Sequence, residues 1–222
     1  MGAVRLAVID YDAGNLHSAC KGLEHAGASV YLIESPVGLE GFDGVVLPGD
    51  GAFDPALQQL RARGFVDPIR EAIKRGQPFL GICIGLQVLF ESSEEGVEPG
   101  LGIVPGQVQH FRSEVGLRIP HMGWNQLQLT QPNSPLWSGI PEEAWAYFVH
   151  SYHVVPSDPT WVAATVQHGT QTAVAAIARG TLFATQFHPE KSGLQGLKML
   201  QNFVEFVATR DPLPSLVPAQ TT

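Results

Sequence analysis

Four short apolar runs in the first half of the chain restrict what it can fold into. They are Arg5 to Ile9, Ser29 to Ile33, Asp43 to Leu47 and Phe79 to Ile82. A helical pattern follows the first: Leu16, Ala19, Cys20, Leu23 and Ala26 recur at a 3.6-residue spacing up to about Gly27, with Gly14 or Asn15 as its start. Two more helices are expected between the third and fourth runs, one capped by Asp54 with Pro55 behind it and running to about Arg63. The other begins near Asp67 and Pro68 and runs to about Arg75. Strands separated by helices in this way must pair in parallel, because each crossover returns the chain to the same edge. The expected fold class is α/β, an open, mostly parallel twisted sheet flanked by helices.

From Glu91 the pattern changes. Glu91 to Glu95 and Pro99 to Gly102 are polar and turn-rich. Short β-like runs then follow at Gly106 to Phe111, Gly116 to Ile119, Asn125 to Leu129, Ala144 to Tyr152, Trp161 to Gln167, Gln171 to Ala178 and Thr181 to Gln186. Runs this close, without helices between them, predict antiparallel hairpins added to the parallel core, one of them turning at His168-Gly169. A closing helix is expected over Gly193 to Ala208, and a Pro-containing tail over 211–222. Residues 1–210 read as one domain, since 222 residues suffice for a single large core.

The fourth run leads into Gly81-Ile82-Cys83-Ile84-Gly85, the spacing of a nucleophile elbow, in which glycines on either side let a strand turn sharply into a helix and leave the middle side chain clear of the sheet. A cysteine between small residues is also a common core element, so these residues alone leave both readings open. The last predicted strand ends in His188-Pro189-Glu190. The carboxyl ends of strands in an open α/β sheet converge on one crevice, so Cys83 and His188 are expected to meet there. That geometry assigns Cys83 as nucleophile, His188 as general base and later acid, and Glu190 as the group that fixes the imidazole tautomer. Backbone N–H groups near Gly51, in the turn Pro48-Gly49-Asp50-Gly51, and that of Ile84 would receive an oxyanion.

Composition narrows the partners. Thirteen Lys and Arg against twenty-one Asp and Glu give a net charge of −8 with no basic block, which argues against a nucleic-acid ligand. Only 15% of residues are charged and 44% are hydrophobic, so a face covered by another protein is expected. Two cysteines and scattered histidines give neither a disulfide framework nor a metal-ligand spacing, and no cofactor motif is present. With no signal peptide or membrane span in the sequence, the expected location is the cytoplasm.

The elbow, the Pro48-to-Gly51 turn and the His188-Pro189-Glu190 end, in that order over Leu6 to Val207, resemble the class I glutamine amidotransferases. Within that family the closer resemblance is to the glutaminase subunits of imidazole glycerol phosphate synthases. It is carried by Asp10 to Ser18, Pro120 to Asn125, Phe148 to His153 and His188 to Ser192. The resemblance implies hydrolysis of the glutamine side-chain amide through a thioester on Cys83. It implies ammonia transfer to a (β/α)8-barrel cyclase subunit, which makes imidazole glycerol phosphate in histidine biosynthesis. It also implies that Gln87 and the backbone at Ser151 and Tyr152 hold glutamine, that Gly51 lines the pocket, and that the Gly49-Asp50 turn completes the oxyanion hole when the partner is loaded. Asn15, Met122, Trp124, Tyr147 and Lys191 are implied at the partner face. Asp12 stands where the family often has glycine, and Asp50 where it often has valine. A glutaminase for a chorismate-using synthase, and a non-catalytic module of the same fold, are the alternatives.

Overall fold

The computed structural model describes residues 3–12 and 16–210. An eight-stranded sheet forms its centre. Five strands run parallel: β1 (Arg5–Ile9), β2 (Ser29–Ile33), β3 (Gly44–Gly49), β4 (Phe79–Cys83) and, much later in the chain, β13 (Leu182–Thr185). Their spatial order is β2-β1-β3-β4-β13, and antiparallel strands β12 (Gln171–Arg179), β11 (Val162–His168) and β8 (Gln128–Leu129) extend it.

The period-2 alternation of strand side chains divides the interior in two. Leu6, Val8, Val46, Leu80 and Ile82 pack on one face with α1 (Leu16–His25) and α5 (Gly193–Ala208). Ala7, Ile9, Val45, Leu47 and Phe79 pack on the other with α2 (Phe53–Ala62) and α3 (Val66–Lys74). Strands covered on both faces have no polar side, which is why β3 and β4 are buried at every residue. Cys20 lies half-buried on α1 and packs against the first of these cores, as expected of a helix residue. Among the described residues no helix is long and apolar enough to cross a membrane.

Two small sheets flank the large one. β7 (His121–Gln126) pairs with β9 (Trp145–His150) as an antiparallel ribbon. β10 (Tyr152–Pro156) pairs with β6 (Gly106–His110), which also carries the short β5 (Ser92–Ser93).

Several elements differ from expectation. Helix α2 starts at Phe53, and Asp54 is no cap: its carboxylate accepts the N–H groups of Val97 and Glu98, while the Phe53 N–H is taken by Glu95 Oε2 at 2.8 Å. The segment Gly116 to Ile119 is a turn, where Gly116 has φ 84°. The strand expected from Asn125 begins earlier, at His121, and breaks at the buried Leu127, whose N–H bonds to Ala144. The run Ala144 to Tyr152 is two strands in two sheets, with a corner at Ser151 closed by His150 Nδ1, which donates to the Tyr152 carbonyl at 2.7 Å. The helix expected behind Cys83 is a single turn, α4 (Ile84–Gln87), continued by tighter bonds from Leu89 to Leu86 and Phe90 to Gln87. So short a helix has little dipole to offer the thiol.

Candidate active site

The elbow forms, and its glycines are obligatory for steric reasons. Cys83 adopts φ 55° and ψ −108°, a conformation that side-chain-bearing residues rarely take. A Cβ on Gly81 would lie 2.6 Å from the Gly85 carbonyl oxygen, and one on Gly85 would lie 1.8 Å from that of Leu47. The chain can therefore fold back over β3 and β4 only without side chains at these two positions. Gly51, at φ 88°, needs glycine for its backbone conformation and not for space.

His188 arrives from β13 and is fixed by its neighbours. Its N–H donates to the Tyr147 carbonyl at 3.1 Å, and its own carbonyl accepts from Ser192 Oγ at 2.7 Å. Ser192 Oγ in turn accepts the Tyr147 N–H at 2.9 Å, so the histidine backbone is bonded to strand β9 from both sides. Nδ1 contacts Glu190 Oε1 at 2.8 Å, both side chains being almost wholly buried. Glu190 sits on the 3-10 turn Pro189–Lys191, held by α1 through Gly22, where an added Cβ would lie 3.4 Å from that of Glu190.

His188 Nε2 makes no hydrogen bond of ordinary geometry and is left to the Cys83 sulfur. Burial opposes charge on this imidazole, but interactions with Cys83 and Glu190 outweigh it and raise its pKa to about 9. An imidazolium beside the sulfur is the arrangement in which a cysteine attacks as thiolate.

These groups border a cavity of about 280 Å³ at the carboxyl ends of the parallel strands. Of the residues singled out from the sequence, Cys83, His188, Asp50, Gly51, Ile84, Gln87, Ser151 and Tyr152 all line it. Glu190 stands behind His188. Gly49 lies in register with Cys83 beneath the cavity, where the Tyr11 hydroxyl would be 2.3 Å from an added Cβ. Asp50 is exposed and stands at the rim of the cavity.

Four neighbours were not anticipated. Glu95 and His150 line the cavity. Gln186 Nε2 donates to Cys83 Sγ at 3.8 Å. Tyr11 is fully buried, its hydroxyl has no hydrogen-bond partner among the described residues, and its pKa is pushed up by burial and by the charges of Cys83 and Asp50. Nothing in sequence separates Glu95 from the other acids of its turn. Gln186, by contrast, lies two residues before His188 and was open to notice. Among the described residues no group of three or more His, Cys, Asp or Glu side chains is placed to hold a metal.

Of the positions implied at a partner face, Met122, Trp124 and Tyr147 lie together on the β7–β9 ribbon. Met122 and Trp124 on β7 are 63% and 53% exposed, opposite Val149 and Tyr147 on β9. The Trp124 and Tyr147 rings meet edge-on at 6.1 Å, and Trp145, 48% exposed, lies on the same strand. Lys191 is half-buried; Asn15 lies outside the described residues.

The family model "Glutamine amidotransferase class-I" matches residues 7–206. The chain belongs to the class I glutamine amidotransferases. This amidotransferase is 80% identical over 212 residues to the imidazole glycerol phosphate synthase subunit HisH of Synechococcus sp. (strain JA-3-3Ab), covering 96% of this chain and 98% of the relative. It is 62% identical over 204 residues to the subunit of the same name from Synechococcus elongatus, covering 92% and 94% of the two chains. Among solved structures, PurLQS from Thermotoga maritima superposes with TM-score 0.74 at 20% identity, covering 93% of this chain and 100% of that one. The glutaminase domain of Trypanosoma brucei CTPS gives 0.68 at 17% identity, covering 95% and 96%, so both share the amidotransferase's fold.

Proposed function

We propose that this amidotransferase is the glutaminase subunit of an imidazole glycerol phosphate synthase, with Cys83, His188 and Glu190 as its catalytic triad. The observation that carries the chemistry is an imidazole bonded to a buried carboxylate at 2.8 Å, with its other nitrogen left to the elbow sulfur. Likeness to the HisH subunits over nearly the whole chain supports the pathway.

The Cys83 thiolate adds to the side-chain carbonyl carbon of glutamine. Backbone N–H groups at Gly51 and Ile84 receive the oxyanion, with that of Asp50 if the Gly49-Asp50 turn rearranges. His188 enters as the imidazolium, so it gives its proton to the leaving nitrogen. Ammonia departs and a γ-glutamyl thioester remains. Water then attacks the thioester and passes a proton to His188, the carbon–sulfur bond breaks with thiolate and imidazolium restored, and the product acid sheds its carboxyl proton to solvent and leaves as glutamate. Glu190 keeps Nδ1 as a donor throughout.

Glutamine carries an α-ammonium and an α-carboxylate, and the cavity offers a match for each. Glu95 supplies negative charge for the first, and the backbone at Ser151 and Tyr152 with Gln87 supplies polar groups for both. The ammonia goes to a (β/α)8-barrel cyclase subunit docked on the Met122 and Trp124 face, an apolar patch of the kind that partners cover.

The test is ammonia release from glutamine with and without the cyclase subunit and its nucleotide substrate. Strong stimulation by the loaded complex is expected. Equal rates in both conditions overturn the subunit assignment. Cys83→Ala should abolish glutamine-dependent synthesis and leave synthesis from added ammonium salt intact.

A further inference from the structure

The Tyr152 carbonyl can only accept, and it takes Gln87 Nε2 at 3.2 Å and His150 Nδ1 at 2.7 Å. The Gln87 carboxamide is thereby oriented by a group with no alternative role. Its Nε2 also reaches Gln186 Oε1 at 3.1 Å, which turns the Gln186 oxygen toward Gln87 and its nitrogen toward Cys83 Sγ, at 3.8 Å. Gln186 is wholly buried, so water does not compete for that nitrogen.

The same logic fixes the other arm of the network. With Nδ1 as donor, neutral His150 has Nε2 as acceptor, 3.0 Å from His121 Nδ1. His121 Nε2 then accepts from Asn125 Nδ2 at 3.1 Å, and that amide also donates to the Gln167 carbonyl at 2.7 Å. The two arms converge on the Tyr152 carbonyl as common acceptor, and the Gln87 arm ends at the sulfur.

We propose that Gln186 is a catalytic residue whose carboxamide N–H donates to the Cys83 thiolate, fixes the sulfur at the elbow, and favours its departure from the thioester. A thiolate accepts a hydrogen bond far better than a thioester sulfur does, because a charged acceptor roughly doubles the bond's strength. The N–H therefore stabilises sulfur as nucleophile at rest and again as leaving group during hydrolysis. Its oxygen meanwhile bonds Gln87, so the carboxamide bridges the sulfur and the cavity wall.

This inference rests on Cys83 as the nucleophile, and the test separates the two. Alkylation of Cys83 in the isolated subunit by iodoacetamide, a small neutral probe, is followed across pH for the parent, Gln186→Met and Gln186→Glu. Methionine keeps the length and loses the donor; glutamate keeps an acceptor for Gln87 and turns a carboxylate toward the sulfur. The midpoint of the alkylation profile should rise by about one to two pH units with methionine, the size of one hydrogen bond to a charged group, and further with glutamate. A merely structural role lowers thermal stability without moving the midpoint. A reactive parent whose variants share its midpoint overturns the role of Gln186 alone; an inert Cys83 in the parent overturns the nucleophile. If neither variant folds, the Gln186 side-chain amide resonances of the parent decide. They must shift when Cys83 is alkylated, and their indifference overturns the proposal.

Discussion

A single methyl group at Gly85 should disable the site by moving the nucleophile. The Cβ of Gly85→Ala would lie 1.8 Å from the Leu47 carbonyl oxygen and 3.0 Å from its carbon. Carbon and oxygen rarely approach closer than about 3.3 Å, so roughly 1.5 Å of movement is required. The obstructing atom is backbone of central strand β3, in register with β4 at Leu47 and Gly81, and cannot rotate aside as a side chain would. Overpacking of this kind costs about 3 kcal/mol, the upper end of its usual range. In a domain of this size that lowers Tm by roughly 6–12 °C. The movement falls two residues from the sulfur, and a misplacement of about 1 Å costs on the order of a hundredfold in rate. Gly41→Ala serves as the control, since nothing lies within 4 Å of its would-be Cβ and its φ is ordinary. Calorimetry and glutaminase assays in the stimulated complex read both quantities. A Gly85→Ala protein within about 2 °C and threefold of the parent would refute the steric account of the elbow.

Other expectations follow from the same geometry. Glu190→Gln removes the charge behind His188, so kcat should fall by about a thousandfold or more, and the His188 titration, followed by NMR, should move down from about 9. His150 and His121 are held neutral by burial, with pKa values lowered from 6.5 to about 3 and about 4. Their unfolded forms bind protons first, so stability is full above pH 6.5 and should decline as pH falls toward 4, by roughly 1.4 kcal/mol per unit for each imidazole. Denaturant melts between pH 7 and 4.5 test this, and a flat profile contradicts it. Trp124→Ala should weaken binding of the cyclase subunit by about thirtyfold, as expected for a central aromatic anchor, measured by titration calorimetry; an unchanged Kd removes Trp124 from the interface.

The parallel core was readable because its pattern is local. Val45 to Leu47 and Phe79 to Ile82 are short apolar runs bounded by turn residues, the pattern of a strand buried on both faces. The elbow was readable because its glycines meet obstacles set by the strand that they follow. The added sheets were less legible. Trp145 to His150 alternates in burial but is almost wholly apolar in sequence, and nothing local marks Ser151 as a corner, since the bond that turns the chain comes from the side chain of His150. Strand β7 begins directly after Pro120 and carries glycine and asparagine, which a strand pattern disfavours. Asp54 had every local mark of a cap, yet Glu95, forty-two residues on from Phe53, occupies the helix start. Glu95 gained meaning only through what tertiary structure sets beside it, whereas Gln186 was marked by its place two residues before His188.

The bonding of His188 to β9 has one further consequence. The segment whose outward side chains include Tyr147 and Trp145 also grips the backbone of the histidine through Tyr147 and Ser192. A shift of that ribbon would reach the His188 backbone through these bonds, with no intervening hinge. A docked neighbour could thus adjust the timing of amide cleavage mechanically, at a distance of one hydrogen bond, without ever entering the cavity.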